Sequence, residues 1–191
     1  MLELVGSRRR GHFALESGHH GDLWLDLDGL FLRASRIRPQ VVELAGALRG
    51  HRPDAVCGPL TGGAFLAQLV AAELDVDFCP ADRLVAADGV GYRVPGPLRP
   101  GLNGRRIAVV DDVINAGSAV RKTLVDLSGC GAEPVVLGAL LVLGDSAAAL
   151  AAEHGMAQVF LATTAATLWR PRECPMCAAG VPLTPAGDRS R

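Results

Sequence analysis

Two adjacent carboxylates, Asp111 and Asp112, close the apolar run Arg106-Ile107-Ala108-Val109-Val110 and precede Val113-Ile114-Asn115-Ala116-Gly117-Ser118-Ala119-Val120. The apolar, β-branched run reads as a buried strand. Small residues follow, and the helical pattern Val120–Leu127 then begins. In such a strand–loop–helix unit the backbone N–H groups of residues 115–119 converge on an anion, with the helix dipole behind them. The carboxylates lie at the carboxyl end of the strand, where open α/β sheets place their ligands. Carboxylates cannot take a phosphate. They suit sugar hydroxyls, or waters on a divalent cation. A P-loop is a poorer reading, because no Gly-Lys-Ser/Thr follows. The bland alternative is a solvated Asp pair before an ordinary helix cap.

A second candidate anion site precedes the first. Ala55-Val56-Cys57 reads as a short buried strand, Gly58-Pro59-Leu60-Thr61-Gly62-Gly63 as a tight loop, and Ala64–Leu74 as an apolar helix. Glycines let the backbone approach a ligand closely and offer N–H donors without side-chain obstruction. Between the two sites lies Arg83, followed by Leu84–Val94, where Asp88-Gly89 between short runs suggests a hairpin or flap. The cations on this stretch are Arg83, Arg93 and Arg99. Only Lys122 among the 19 basic residues is lysine, so the flap carries none.

Other elements must position these loops. Phe13 and Leu15 alternate, as do Leu23, Leu25 and Leu27, with Ser17-Gly18 and Gly21-Asp22 as turn chemistry, which predicts a β-hairpin over Phe13–Asp28. Residues 1–10 are expected to form a short helix with a basic end. Ile37, Val41, Leu44, Ala45 and Leu48 repeat at helical spacing over residues 34–49. Strands are expected at Val76–Pro80, Pro134–Leu143 and Val159–Ala162, with a turn-rich connection from Gly96 to Gly104 and a helix over Ala147–Ala152. The alternation predicts an α/β fold with a mostly parallel sheet and helices on both faces.

The order of these motifs resembles the type I phosphoribosyltransferases, over roughly residues 11–163. The Phe-x-Leu-x-Ser-Gly hairpin is similar to that of the orotate phosphoribosyltransferases in particular. The resemblance implies the type I phosphoribosyltransferase fold, with an N-terminal hairpin hood and a flap, in one domain over 1–191: hood 1–33, core 34–163, tail 164–191. It implies that Asp111 and Asp112 hold the ribose hydroxyls and Mg²⁺, directly or through water, and are the catalytic pair. Asn115, Ala116, Gly117, Ser118 and Ala119 would hold the 5-phosphate of phosphoribosyl pyrophosphate. Leu60, Thr61, Gly62, Gly63, Arg83 and Arg93 would hold the pyrophosphate. Phe13, Ser17, Asn115 and Arg93 would face the base. A homodimer is expected, from the resemblance and from the apolar terminal segments bearing Trp24 and Trp169. The chain departs from the orotate pattern in its lysine-free flap, in Asn115 where Thr is usual, and in Gly144-Asp145-Ser146 where an Asp-Arg is usual. These departures bear on base choice. Transfer to another base, or a non-catalytic regulator binding phosphoribosyl pyrophosphate, are the alternative functions.

Composition narrows the classes. A net charge of −1 over 191 residues gives no nucleic-acid footprint. The longest uncharged run, Ala55 to Ala72, is broken by Gly and Pro, so no membrane span is expected. Five scattered cysteines without an export signal favour reduced thiols and a cytoplasmic location. Cys174-Pro175-Met176-Cys177 is half of a zinc site, a redox pair, or a packed turn with Trp169 at an interface. Adjacent His19 and His20 are weighed as metal ligands, but neighbouring histidines cannot easily share one face and no third ligand is near in sequence, so they are expected to be turn residues near the site. Residues 184–191 read as a frayed end.

Overall fold

A computed structural model describes residues 7–27, 29–87 and 89–185. The main sheet runs β5-β4-β3-β6-β7-β8. Its strands are β3 (Ala55–Pro59), β4 (Asp77–Ala86), β5 (Gly89–Arg93), β6 (Arg106–Ile114), β7 (Glu133–Leu143) and β8 (Ala157–Phe160), and the short β9 (Thr163–Thr164) also pairs with β7. All pairings are parallel except β4 with β5.

The period of two along β6 builds both faces of the core. Ile107 and Val109 join Val120, Leu124 and Leu127 of α3 (Ser118–Gly129) and Leu150 of α4 (Ser146–Glu153). Ala108 and Val110 join Ile37, Leu44 and Leu48 of α1 (Ala34–Leu48) and Leu66 and Val70 of α2 (Gly62–Leu74). The stretch covered on both sides, Ile107–Val110, is apolar at every position, and the next polar side chains along the strand are Asp111 and Asp112.

The hood is a separate sheet, β1-β2-β10, made of β1 (Ser7–Ala14), β2 (His20–Asp26) and β10 (Leu168–Trp169). Leu23 packs with Leu141 and Leu143 and seats the hood on the core. The basic residues expected on a helix lie in β1, where Arg8, Arg9 and Arg10 pair opposite Leu25, Trp24 and Leu23. Arg9 stands over the Phe13 ring at 5.7 Å and Arg10 pairs with Asp22, so the cations find partners on the extended chain. Residues 1–6 lie outside the described residues, as do Asp28 at the expected end of the hairpin, Asp88 at the flap turn, and residues 186–191 of the expected frayed end.

Several boundaries differ from the sequence reading. The strand expected at Ala55–Cys57 continues to Pro59, and the helix expected from Ala64 begins at Gly62, so the tight loop is shorter than expected. The strand expected at Val76–Pro80 continues to Ala86, because its second half pairs antiparallel with β5 as the flap. The strand expected at Val159–Ala162 runs instead over Ala157–Phe160. The turn-rich connection after the flap forms a 3-10 helix, Gly96–Leu102.

Candidate active site

The carboxyl ends of β3 and β6 open into a cavity of about 280 Å³. Asp111 and Asp112 line it, with Val113 beside them. Asp111 is buried and its Oδ1 accepts the Asp112 N–H at 3.1 Å; Asp112 Oδ1 accepts the Val113 N–H at 2.9 Å. Burial pushes both carboxyls above the ordinary carboxylate range, and the neighbouring Asp112 charge raises Asp111 further. Sugar hydroxyls or a cation would relieve the strain of ionising this pair.

The turn Leu60–Thr61 after β3 and the first two residues of α2, Gly62 and Gly63, which the sequence reading placed in the loop, form the facing wall, and all four line the cavity. The Leu60–Thr61 peptide is cis. The glycines are required by close approach. A Cβ on Gly62 would stand 2.2 Å from Asp112 Oδ2, and one on Gly63 would stand 2.5 Å from Asp111 Oδ1. One on Gly58 would meet the Gly63 carbonyl oxygen at 2.2 Å, so the loop is confined from behind as well.

The loop after β6 ends on Gly117, at φ 73°, before α3, and no side chain caps that helix. Its first N–H groups therefore have no side-chain cap. Ala119 reaches the cavity wall. The Ser146 hydroxyl donates to the Asn115 carbonyl and pins the loop to the start of α4. The Asn115 Oδ1 is buried without a hydrogen-bond partner, an arrangement a bound donor would complete. Asn115, Ala116, Gly117 and Ser118 lie outside the cavity lining proper.

Glu16 forms the roof. It sits at the tip of the hood hairpin and lines the cavity. Its Oε2 accepts from Arg83 Nε at 3.1 Å and from an Arg83 terminal nitrogen at 2.9 Å, while its Oε1 accepts the Tyr92 hydroxyl at 3.0 Å. Arg83 and Tyr92 are directly opposed across β4 and β5, so their side chains share a face. Burial and the Glu16 charge push the Tyr92 hydroxyl well above its ordinary value, and it stays a neutral donor.

The same pleat separates Arg93 from the site. It follows Tyr92 in β5, points to the other face, is exposed, and does not line the cavity. Arg99 is bound to Asp126 on α3 at 2.6 Å, away from the cavity. Phe13 is buried within the hood against Trp24, with ring centroids 5.9 Å apart. Ser17 accepts the His19 N–H at 3.4 Å. Neither Phe13 nor Ser17 lines the cavity, whereas Glu16 between them does. Sequence reasoning passed over Glu16 and Tyr92. The available signal was Glu16 at the hairpin tip and Tyr92 as the only tyrosine, two residues before the flap ends. Cys174 and Cys177 do not line this cavity and lie beside His12 and His20. His20 is therefore no turn residue near the active site. It opens β2 with its side chain buried, while His19 turns out toward Ser17.

An acidic pair at a strand end, glycines packed against it and an uncapped helix N-terminus thus meet on one parallel sheet. The phosphoribosyl transferase domain model matches residues 34–168. The chain is 30% identical to the orotate phosphoribosyltransferase of Caldanaerobacter subterraneus subsp. tengcongensis, over 98% of this chain and 93% of that protein. It is also 30% identical to that of Thermotoga petrophila, over 99% and 96%. The crystal structure of orotate phosphoribosyltransferase from Aeropyrum pernix superposes with a TM-score of 0.65 at 27% identity, covering 85% of this chain and 90% of that one. Adenine phosphoribosyltransferase from Thermoanaerobacter pseudethanolicus shares the fold, with a TM-score of 0.63 at 19% identity over 74% and 88%. The chain belongs to the phosphoribosyltransferase family.

Proposed function

We propose that this chain transfers the phosphoribosyl group of phosphoribosyl pyrophosphate to orotate, giving orotidine monophosphate and pyrophosphate in pyrimidine biosynthesis. The observation that carries the reading is the meeting of Asp111 and Asp112 with the Thr61–Gly63 loop in one cavity roofed by Glu16, Arg83 and Tyr92. The near full-length relatives named for orotate support the choice of base.

In this reading the base nitrogen forms a bond to C1 of the ribose as the C1–O bond to pyrophosphate breaks. Positive charge grows on the ribose. Asp111 and Asp112 hold its hydroxyls and favour that charge, and the α3 N-terminus anchors the 5-phosphate, so remote binding energy is spent on orientation. The Leu60–Gly63 loop and Arg83 receive the pyrophosphate. Arg83 first has to exchange Glu16 for an incoming anion, which couples the hood to substrate binding. The two buried carboxyls are hard oxygen donors that suit Mg²⁺, directly or through water, and the ion would supply charge neutralisation for the leaving pyrophosphate. A homodimer is part of the reading: Leu32, Val42 and Phe65 remain exposed, and Phe65 stacks near Phe31 at 5.7 Å. A cytoplasmic location suits five free cysteines. No helix among the described residues is long and apolar enough to cross a membrane.

The test is a screen of orotate, uracil and purine bases with phosphoribosyl pyrophosphate and Mg²⁺, reading pyrophosphate release. Turnover with orotate is expected. Turnover with uracil or a purine alone would reassign the base, and binding without turnover would make the chain a regulator.

A further inference from the structure

We propose that His12, His20, Cys174 and Cys177 form a tetrahedral zinc site that fastens the hood to the C-terminal tail. One ligand atom from each lies within 4.8 Å of every other. His12 Nε2 is 3.0 Å from His20 Nδ1, 3.3 Å from Cys174 Sγ and 3.7 Å from Cys177 Sγ, and Cys177 Sγ is 3.3 Å from His20 Nδ1. A tetrahedral zinc with Zn–N of about 2.0 Å and Zn–S of about 2.3 Å sets N–N edges of about 3.3 Å and N–S edges of about 3.5 Å. These four edges already lie within a few tenths of an ångström of those values.

The tautomer agrees. His12 Nδ1 is 2.9 Å from the Val181 carbonyl oxygen. A carbonyl only accepts, so the proton is on Nδ1 and the Nε2 lone pair faces the cluster. This is the outer hydrogen bond that metal-ligating histidines make. Protons alone satisfy the cluster poorly. The single lone pair of His12 Nε2 faces one imidazole nitrogen and two thiols, and can accept from one of them. A cation satisfies all four ligand atoms at once, the two thiol protons leaving to solvent as thiolates form. Two soft sulfurs with two imidazoles select zinc over Mg²⁺ or Ca²⁺. A Cys174–Cys177 disulfide would use the sulfurs and leave the convergence of the two imidazoles without a purpose. His12, His20 and Cys174 are buried, and exposed Cys177 leaves an entry path.

The site joins parts of the chain that are distant in sequence. Its histidines lie in β1 and β2. Its cysteines flank the first turn of the short helix α5 (Pro175–Ala178), where the Ala178 N–H donates to the Cys174 carbonyl at 3.2 Å. Hydrogen bonds tie the hood to the tail on either side of the site: β10 pairs with β2 over two residues, Asp22 and Thr167 bond each other, and His12 and Ala14 bond Thr184. The same hairpin carries Glu16 over the active site, so the metal fixes where that roof sits.

The test measures metal in the full chain, purified from zinc-replete cells without chelators. About one zinc per chain is expected. After exchange, Co²⁺ should give the visible absorption of a tetrahedral ion together with thiolate charge-transfer bands. Cys174→Ser with Cys177→Ser, and separately His20→Ala, should lose the metal, and His19→Ala should keep it. Chelation should raise amide exchange in β1, β2 and residues 170–185 while leaving β6 and α3 protected. Wild-type protein without zinc and without a tetrahedral Co²⁺ spectrum would overturn the proposal even if the variants fail to fold. So would metal retained in the double serine variant, or a Cys174–Cys177 disulfide in freshly purified protein. None of these readouts depends on which base is the substrate.

Discussion

Replacing Gly63 by alanine tests the contact between the glycine loop and the acidic pair with one methyl group. The new Cβ would stand 2.5 Å from Asp111 Oδ1 and 2.8 Å from the Pro59 ring. Asp111 is buried, and the Gly63 carbonyl is packed against Gly58, so neither side yields freely. Restoring an ordinary contact of 3.4 Å opens the wall by roughly 0.9 Å, and misplacement of that order at a reacting centre costs about 10²-fold in rate. That corresponds to about 2.7 kcal/mol of transition-state free energy. Overpacking should also cost about 1–3 kcal/mol of stability. Steady-state kinetics on protein verified as folded by circular dichroism, well below its own Tm, would separate the two effects. Gly46→Ala is the control: it lies in α1, nothing is within 4 Å of its Cβ position, and helix propensity predicts a gain of up to about 1 kcal/mol. Wild-type kcat/KM in folded Gly63→Ala would refute the reasoning that the loop and the carboxylates form one rigid catalytic wall.

Further outcomes follow from the same geometry. Burial raises the folded-state pKa of Asp111 above its unfolded value, so the folded state binds more protons and stability falls as pH rises above about 4. Asp111→Asn should therefore raise Tm at neutral pH, by about 2–4 °C for each kcal/mol relieved, while abolishing turnover; a lower Tm in thermal melts across pH would contradict the sign. Arg83→Ala should weaken substrate binding at least tenfold, about 1.4 kcal/mol, and Arg93→Ala should leave KM values near wild type, because the pleat turns Arg93 away. Equal effects of the two in steady-state kinetics would contradict the roof described above. Sedimentation at micromolar concentration should give a homodimer, and a monomer alone would remove the exposed apolar residues of α1 and α2 as an interface.

The parts of the site read from sequence were those written in consecutive residues. The run from Arg106 to Val120 contains its own strand, loop and helix start, and Gly58–Gly63 likewise. Only a turn of small residues can connect a buried strand to a helix at such close quarters. The roof was harder, because it depends on pairing. Arg83 and Tyr92 face Glu16 through the register of β4 with β5, and a shift of one residue would have presented Arg93 instead. Three arginines in a row look like a helix end until β2 supplies Asp22 and Phe13 supplies a ring. Cys174-x-x-Cys177 looked like half a site because the other half is more than 150 residues away in sequence, on two strands whose alternation turns His12 and His20 to one side.

The central claim is that Asp111, Asp112 and the two phosphate loops carry out phosphoribosyl transfer to orotate. The most direct measurement is the loss of orotate absorbance on mixing wild-type protein with orotate, Mg²⁺ and saturating phosphoribosyl pyrophosphate, beside the Asp111→Asn, Asp112→Asn double variant. Steady loss is expected with the wild type and none with the folded double variant. Unchanged orotate with the wild type, or equal rates in the two proteins, would contradict the claim.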